Sequence, residues 1–127
     1  MIIVDTSALM AIVLNEPMAD ACEGALAAES HVVISAGTLA EALLVAGRRG
    51  LRAEVEALVG RLGAEVEPVS AASAARIADA HLRWGRGAGT AGLNFGDCFA
   101  YELATWSGCR LLFVGEDFAR TDVEPAI

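Results

Sequence analysis

Two kinds of hydrophobic pattern alternate along this chain. Residues 2–4, 31–34 and 110–114 are short, mostly apolar runs, typical of strands buried on both faces of a parallel sheet. Residues 64–69 alternate between apolar and acidic positions, which favours an edge strand, and residues 123–127 are a candidate for a short last strand. Elsewhere apolar residues recur every three or four positions, which predicts helices over residues 7–14, 17–29, 36–49, 51–62, 70–84 and 95–107.

The order of these elements predicts an α/β fold with one parallel sheet and helices on both of its faces, giving three layers. A length of 127 residues predicts a single domain, residues 1–127. Thr6 or Ser7 is expected to cap the first helix. Asp5 would then lie at the carboxyl end of the first strand, where open α/β sheets bind their ligands.

Charge and cysteine content narrow the function classes. Nine basic residues, all of them Arg, stand against 17 acidic ones, and the net charge of −8 argues against gripping nucleic acid by bulk electrostatics. The three cysteines are widely spaced, so neither a disulfide framework nor a zinc site is expected. No apolar stretch reaches the ~18 residues of a membrane span, and no signal-peptide pattern is visible. We therefore expect a cytoplasmic protein with no membrane association.

Four acidic residues share a position in this pattern, because each follows a predicted strand or opens the helix after one. They are Asp5, Glu41, Asp97 and Asp117, with Asp122 as a fifth candidate. Since parallel strands point their carboxyl ends the same way, these carboxylates can converge although they are far apart in sequence. Repulsion between them is relieved by a divalent cation, and hard oxygen ligands suit Mg²⁺ or Mn²⁺. The chemistry that such a site favours is hydrolysis of a phosphodiester.

Each acid also has a structural explanation, taken singly. The alternatives are a capping box from Thr38 to Glu41, a capped helix start at Asn94 and Asp97, a turn at Asp5 and a loop at Asp117. Four acids at equivalent positions favour the metal site over four unrelated structural roles.

The glycine-rich residues 85–92 invite comparison with a phosphate-binding loop. They lack the Gly-Lys-Ser/Thr ending of a P-loop and follow a predicted helix instead of a strand, so we favour a mobile loop that borders the site. His81, just before this loop, is predicted to be packed and not catalytic. A phosphate-sensing receiver domain also clusters acids at strand ends, but it needs a Lys and this chain has none.

Four segments, in this order, resemble the PIN-domain ribonucleases, and most closely the VapC toxins of bacterial and archaeal toxin–antitoxin pairs. They are Val4-Asp5-Thr6-Ser7-Ala8, Ala40-Glu41-Ala42-Leu43, Asn94-Phe95-Gly96-Asp97-Cys98-Phe99-Ala100-Tyr101, and Phe113-Val114-Gly115-Glu116-Asp117-Phe118 with Thr121-Asp122. The resemblance implies a single PIN domain with a sheet of about five parallel strands in the order 3-2-1-4-5. It also implies a Mg²⁺- or Mn²⁺-dependent endoribonuclease, the toxin of a VapBC-type pair, with a metal-activated water.

The resemblance further implies roles for individual residues and partners. The catalytic acids would be Asp5, Glu41, Asp97 and Asp117, the metal ligands Asp5, Asp97 and Asp117, and the supporting residues Thr6, Thr121 and Asp122. The substrate would be RNA such as tRNA or rRNA, and the partners a VapB-type antitoxin and a second copy in a homodimer. The alternative is a non-catalytic PIN-fold module that binds a protein, with the acids capping helices and the helices at 36–49 and 51–62 carrying the partner.

Overall fold

The computed structural model describes residues 1–89 and 91–127, and Thr90, in the predicted glycine-rich loop, lies outside the described residues. The strands are β1 (Ile2–Val4), β2 (Val32–Ser35), β3 (Glu65–Glu67) and β4 (Arg110–Leu112). The helices are α1 (Thr6–Val13), α2 (Ala19–Ala27), α3 (Ala36–Arg48), α4 (Arg52–Leu62), α5 (Ala71–Trp84) and α6 (Phe95–Ser107). The six predicted helices and the first four predicted strands are therefore found in the predicted order, with most boundaries shifted by one or two residues.

The sheet is parallel throughout, in the order β3-β2-β1-β4. This confirms the predicted order of the first four strands, but residues 123–127 do not form a fifth. They contribute one parallel bridge between Pro125 and Leu111, flanked by hydrogen bonds from Leu111 N to Glu124 O and from Ala126 N to Leu111 O. Leu111 exchanges its hydrogen bonds with Glu124 and Ala126, so the backbone N of Pro125 faces away from β4 and the pairing amounts to this one bridge.

Three layers follow from the side-chain alternation of the buried strands. In β1, Ile2 and Val4 pack into a core formed with helices α1 to α4, whereas Ile3 points into a second core formed with α5 and α6. All three residues are at most 1% exposed. The uninterrupted apolar run thus has the burial that the sequence predicted, because both faces of the strand are covered.

The carboxyl ends of β1 and β4 are tied together where the candidate acids lie. Asp5 N donates to Leu112 O at 3.0 Å, which continues the ladder one residue beyond β1. The strands β2 and β3 are added on one side of β1, and β4 is added on the other side. The boundary between β1 and β4 is therefore the switch point of the sheet, the usual position of ligand sites in open α/β folds. In the described part of the chain, no helix combines the length and apolar character needed to cross a membrane.

Candidate active site

Asp5 is the residue around which the site is built. It is the N-cap of α1, and its Oδ2 accepts hydrogen bonds from Ser7 N at 3.0 Å and from Ser7 Oγ at 2.7 Å. The expectation that Thr6 or Ser7 caps this helix was therefore wrong, because the chain turns into helix directly after β1. The other oxygen, Oδ1, is buried and accepts no hydrogen bond from the described residues. Asp5 is 3% exposed, so half of a buried carboxylate is left for a ligand.

Ser7 was not recognised in the sequence as a site residue. Its hydroxyl donates to Asp5 and also accepts a hydrogen bond from Val114 N at 3.0 Å. It therefore fixes the orientation of the Asp5 carboxylate against the chain that leaves β4. The Asp-Thr-Ser triplet was the only sequence signal for this role.

Glu41 lies in the second turn of α3, not at its start. The N-cap of α3 is Ser35, whose hydroxyl accepts from Gly37 N, so the structural alternative of a capping box from Thr38 to Glu41 is not what is found. Instead, Glu41 Oε1 accepts a hydrogen bond of 2.7 Å from the hydroxyl of Thr6, the residue after Asp5. Thr6 thus contacts a candidate catalytic acid, and its supporting role stays a prediction.

The Glu41 carboxylate also approaches the first turn of α6. A Cβ atom placed on Gly96 would overlap Glu41 Oε2, so only a glycine allows this approach. The sequence contained Gly96 within the Asn-Phe-Gly-Asp segment, but its closeness to Glu41 depends on the packing of α6 against α3 and could not be derived locally.

Asp97 enters the site from the start of α6. It forms a capping box with Asn94, in which Asp97 N donates to Asn94 Oδ1 at 2.8 Å and Asn94 N donates to Asp97 Oδ2 at 3.0 Å. The capping role is therefore real, but it uses one carboxylate oxygen, and Oδ1 takes none of the described hydrogen bonds. The sequence argument assumed that each acid follows a strand or opens the helix after one, and this was wrong for Asp97. Its helix, α6, follows α5, so the orientation of α6 brings Asp97 to the site.

The pKa values of two acids report that the carboxylates are close. Burial, partly opposed by the hydrogen bonds from Ser7 and reinforced by the charge of Glu41, raises the pKa of Asp5 to about 6. Burial also raises the pKa of Asp97 to about 7, and the charges of Asp5, Asp117 and Glu41 add to the shift. The other three predicted catalytic acids thus interact with Asp97, and the four form a cluster that favours either bound protons or a bound cation.

The three remaining predicted residues lie in the turn after β4. Asp117 is exposed, and its negative charge is one of those that raise the pKa of Asp97. Thr121 donates its hydroxyl to Phe118 O at 2.7 Å and so stabilises the turn. The carboxylate of Asp122 accepts a 2.6 Å hydrogen bond from the Tyr101 hydroxyl and lies 3.7 Å from Arg83, and no charge interaction with Asp97 is found for it.

The charges of these carboxylates interact, but the carboxylates do not form a complete set of metal ligands. Within residues 1–89 and 91–127, no three His, Cys, Asp or Glu side chains are arranged to hold a metal ion. Asp5 and Asp97 each use one oxygen at a helix start, and Glu41 accepts a hydrogen bond from Thr6. One unpartnered Asp5 oxygen and one unbonded Asp97 oxygen nevertheless leave hard donors available for a hydrated cation.

Comparison with known proteins gives consistent matches over nearly the whole chain. A family model described as a PIN domain matches residues 2–124. A ribonuclease VapC of Mycolicibacterium smegmatis is 42% identical over 127 residues, covering 95% of this chain and 96% of that protein. Ribonuclease VapC42 of Mycobacterium tuberculosis is 43% identical over 129 residues and covers 98% of both chains.

Solved structures match the fold at lower sequence identity. The toxin VapC20 of Mycobacterium tuberculosis, described as cleaving the sarcin–ricin loop, aligns with a TM-score of 0.77 and 22% identity over 97% of this chain and 96% of its own. A chain of a toxin–antitoxin complex from Klebsiella pneumoniae aligns with a TM-score of 0.71 and 16% identity, over 96% of this chain and 93% of its own. At these identities the similarity supports the three-layer fold alone.

Proposed function

This chain belongs to the PIN-domain family and, within it, to the VapC ribonucleases, and on that premise we propose that it is a metal-dependent endoribonuclease. The proposed ion is Mg²⁺ or Mn²⁺, with Asp5, Asp97 and Asp117 as ligands and Glu41 as the fourth catalytic acid. The observation that carries the proposal is Asp5 Oδ1, a buried carboxylate oxygen with no described hydrogen bond, beside an Asp97 whose pKa is about 7.

The donor set fits a hard divalent cation. Leaving a buried acceptor unsatisfied costs roughly 1–3 kcal/mol, and more when the group is charged, so Asp5 Oδ1 gains from any cation it contacts. Mg²⁺ keeps several waters and is commonly held by one or two carboxylates. A cluster without three converging side chains is therefore compatible with this ion.

An ion bound there would lower the pKa of a water and neutralise negative charge on the phosphate. The chain's own residues supply orientation. Ser7 fixes Asp5 through its Oδ2, and Thr6 fixes Glu41 through its Oε1. Glu41 Oε2 takes none of the described hydrogen bonds, so we propose it as the oxygen that would accept a proton from the attacking water.

The proposed partners are an RNA substrate such as tRNA or rRNA, a VapB-type antitoxin and a second copy in a homodimer. They are supported by relatives that are themselves named ribonucleases and by the similarity to a chain from a toxin–antitoxin complex.

The deciding experiment compares the wild-type chain with Asp97→Asn. The amide oxygen of Asn can still accept from Asn94 N, so the capping box and the fold are retained while the charge is lost. We expect wild type to cleave a fluorescently labelled RNA in Mg²⁺ or Mn²⁺ but not in EDTA, and Asp97→Asn to be inactive with an unchanged circular dichroism spectrum. Full activity of this variant would refute the assignment.

The alternative, a non-catalytic protein-binding module, is favoured by the fact that Asp5 and Asp97 do cap helices. The two functions differ in a Mn²⁺ titration. A metal-dependent nuclease should show an increase in melting temperature with Mn²⁺ that is lost in Asp5→Asn. A binding module should show no shift that depends on Asp5.

A further inference from the structure

His81, Phe95 and Phe99 form a row of aromatic rings, here called the aromatic rim, at the start of α6, the helix that carries Asp97. Phe95 is the first residue of α6 and is 60% exposed, an unusual position for a Phe. Its ring centroid lies 5.1 Å from that of Phe99 and 6.3 Å from that of His81, with interplanar angles of 70° and 74°. These are edge-to-face arrangements, so Phe95 is held by its neighbours while most of its surface remains in solvent.

This aromatic rim adjoins the site directly. Phe95 lies between Asn94, which is hydrogen-bonded to Asp97, and Gly96, whose position abuts the Glu41 carboxylate. Phe95 is therefore flanked on both sides by residues that contact the candidate acids.

Two glycines allow the rings of Phe99 and His81 to pack closely against the backbone. A Cβ on Gly37 of α3 would overlap the Phe99 ring, and a Cβ on Gly85 would lie 2.9 Å from two atoms of the His81 ring. Both rings thus pack against backbone, as predicted for His81. The rim is preformed, which limits the conformational entropy lost when a ligand binds.

The negative net charge of this chain gives little electrostatic attraction to RNA. RNA binding therefore needs contacts that do not depend on charge. The net charge is −8, and four arginines are already paired with acids, namely Arg52, Arg76, Arg83 and Arg110. Near the rim, Arg86 follows Gly85 directly and makes no described ion pair. With Arg120 and loop glycines it lines a cavity of about 300 Å³. One or two cations cannot outweigh 17 acids over the whole surface, so stacking would have to contribute.

We propose that Phe95 is a stacking platform for a nucleobase of single-stranded RNA next to the phosphate that is cleaved. This inference rests on the proposed function and adds to it a residue that would position the strand, by holding a base turned out onto an aromatic ring. Stacking on an aromatic face tolerates any base, so the contact positions the strand and need not read its sequence.

The test measures binding of a 12-nucleotide single-stranded RNA in Mg²⁺, with every protein carrying Asp97→Asn so that cleavage does not interfere. Phe95→Leu keeps apolar bulk against Phe99 but removes the aromatic face, and we expect Kd to rise about 5- to 100-fold. Phe95→Tyr should bind within about twofold of the parent, because its ring still stacks. The slope of log K against log salt should be unchanged in both variants, since no cation is lost.

The matched control is Trp106→Leu, which exchanges the other exposed aromatic residue of α6. Trp106 is 67% exposed but lies 11 positions along the helix from Phe95, roughly 16 Å away at 1.5 Å per residue. Its replacement should change Kd by less than about twofold, because it is outside the reach of one base. An equal loss in both leucine variants, or no loss in Phe95→Leu, would overturn the proposal. So would loss of self-association by Phe95→Leu at unchanged RNA affinity, which would assign the ring to a protein contact.

Failure of this inference is distinguishable from failure of the proposed function. If wild type cleaves RNA and Phe95→Leu binds normally, only the stacking platform is refuted. If RNA binding depends on the Phe95 ring but wild type does not cleave in Mg²⁺ or Mn²⁺, the stacking contact stands and the nuclease assignment falls.

Discussion

The raised pKa of Asp97 predicts a specific dependence of stability on pH in the metal-free protein. The perturbation is Asp97→Asn, which removes a titrating group that is 6% exposed and keeps its hydrogen bond to Asn94. Because the pKa of about 7 in the folded protein lies above the ordinary value of 3.8, the folded chain holds this proton more tightly than the unfolded chain. The resulting stability is complete below about pH 3.8, decreases as the pH rises, and is lost above about pH 7.

The magnitude follows from 1.36 kcal/mol for each unit of pKa difference. Between about pH 5 and about pH 8, the contribution of Asp97 to the free energy of unfolding should fall by roughly 2.5 kcal/mol. The assay is urea unfolding of both proteins in EDTA at these two pH values. Comparison with Asp97→Asn cancels titrations that both proteins share, such as those of the two histidines. The stability of the variant relative to wild type should therefore increase by that amount from the lower to the higher pH.

Two outcomes would contradict this reasoning. If the difference between the two proteins did not change with pH, Asp97 would not be a buried member of a charge cluster. If wild type became more stable at the higher pH relative to the variant, the carboxylate would be held by a cation of the protein, which the structure does not show for it within the described residues. Adding Mg²⁺ at about pH 8 extends the test, since an ion at 100 times its Kd would restore about 2.7 kcal/mol to wild type and less to the variant.

Three further substitutions test individual contacts. Gly96→Ala should move the Glu41 carboxylate and lower kcat by roughly tenfold to a hundredfold while changing the free energy of unfolding by less than about 1 kcal/mol, because the overlap is with the end of a flexible side chain. Gly24→Ala, which meets no atom within 4 Å, is its control, and equal kcat values in the two variants would contradict the role of Gly96. Thr38→Val removes a buried hydroxyl without a described partner, so urea unfolding should show neutral or increased stability, and a loss above about 1 kcal/mol would mean that the hydroxyl is satisfied. Arg86→Ala should weaken RNA binding and reduce the salt slope by about 1, unlike Arg61→Ala on α4, and an unchanged slope would exclude Arg86 from contact with phosphate.

The fold was largely predictable because its signal is local. The apolar run of β1 requires cover on both faces, and that requirement alone indicates a central parallel strand. The candidate last strand at residues 123–127 is present as a single parallel bridge to β4. Glu124 and Ala126 form hydrogen bonds with Leu111, but the pairing does not extend beyond them.

The membership of the acid cluster could be predicted better than its geometry. Asp5, Glu41, Asp97 and Asp117 were selected by their position after strands and by resemblance, and their charges do interact. The rule based on strand ends was nevertheless wrong for Asp97, which is carried by α6 after another helix.

Contacts between elements were beyond reach of the sequence. Ser35 and Thr38 are both plausible N-caps, and the choice depends on where β2 ends. Gly96 becomes important only because α3 and α6 pack together. The distance between Gly96 and Glu41 decides where the Glu41 carboxylate lies, and no sequence pattern indicates that distance.

In Asp5 and Asp97, one carboxylate oxygen caps a helix and the other is available to a ligand. Substitutions at these positions must therefore separate the two roles. Asp5 Oδ2 caps α1 while Oδ1 is left for a ligand, and Asp97 Oδ2 closes the capping box of α6. Alanine at position 5 removes the cap together with the candidate ligand, so loss of activity in Asp5→Ala would not separate the two roles. Asparagine keeps an oxygen for Ser7 N and removes the charge. Asp5→Asn should therefore be more stable than Asp5→Ala by roughly 1 kcal/mol, the usual value of an N-cap, while both lack metal-dependent cleavage. Equal stability of the two variants in urea unfolding would mean that the cap contributes nothing measurable, and that Asp5 is retained at the end of β1 for its chemistry alone.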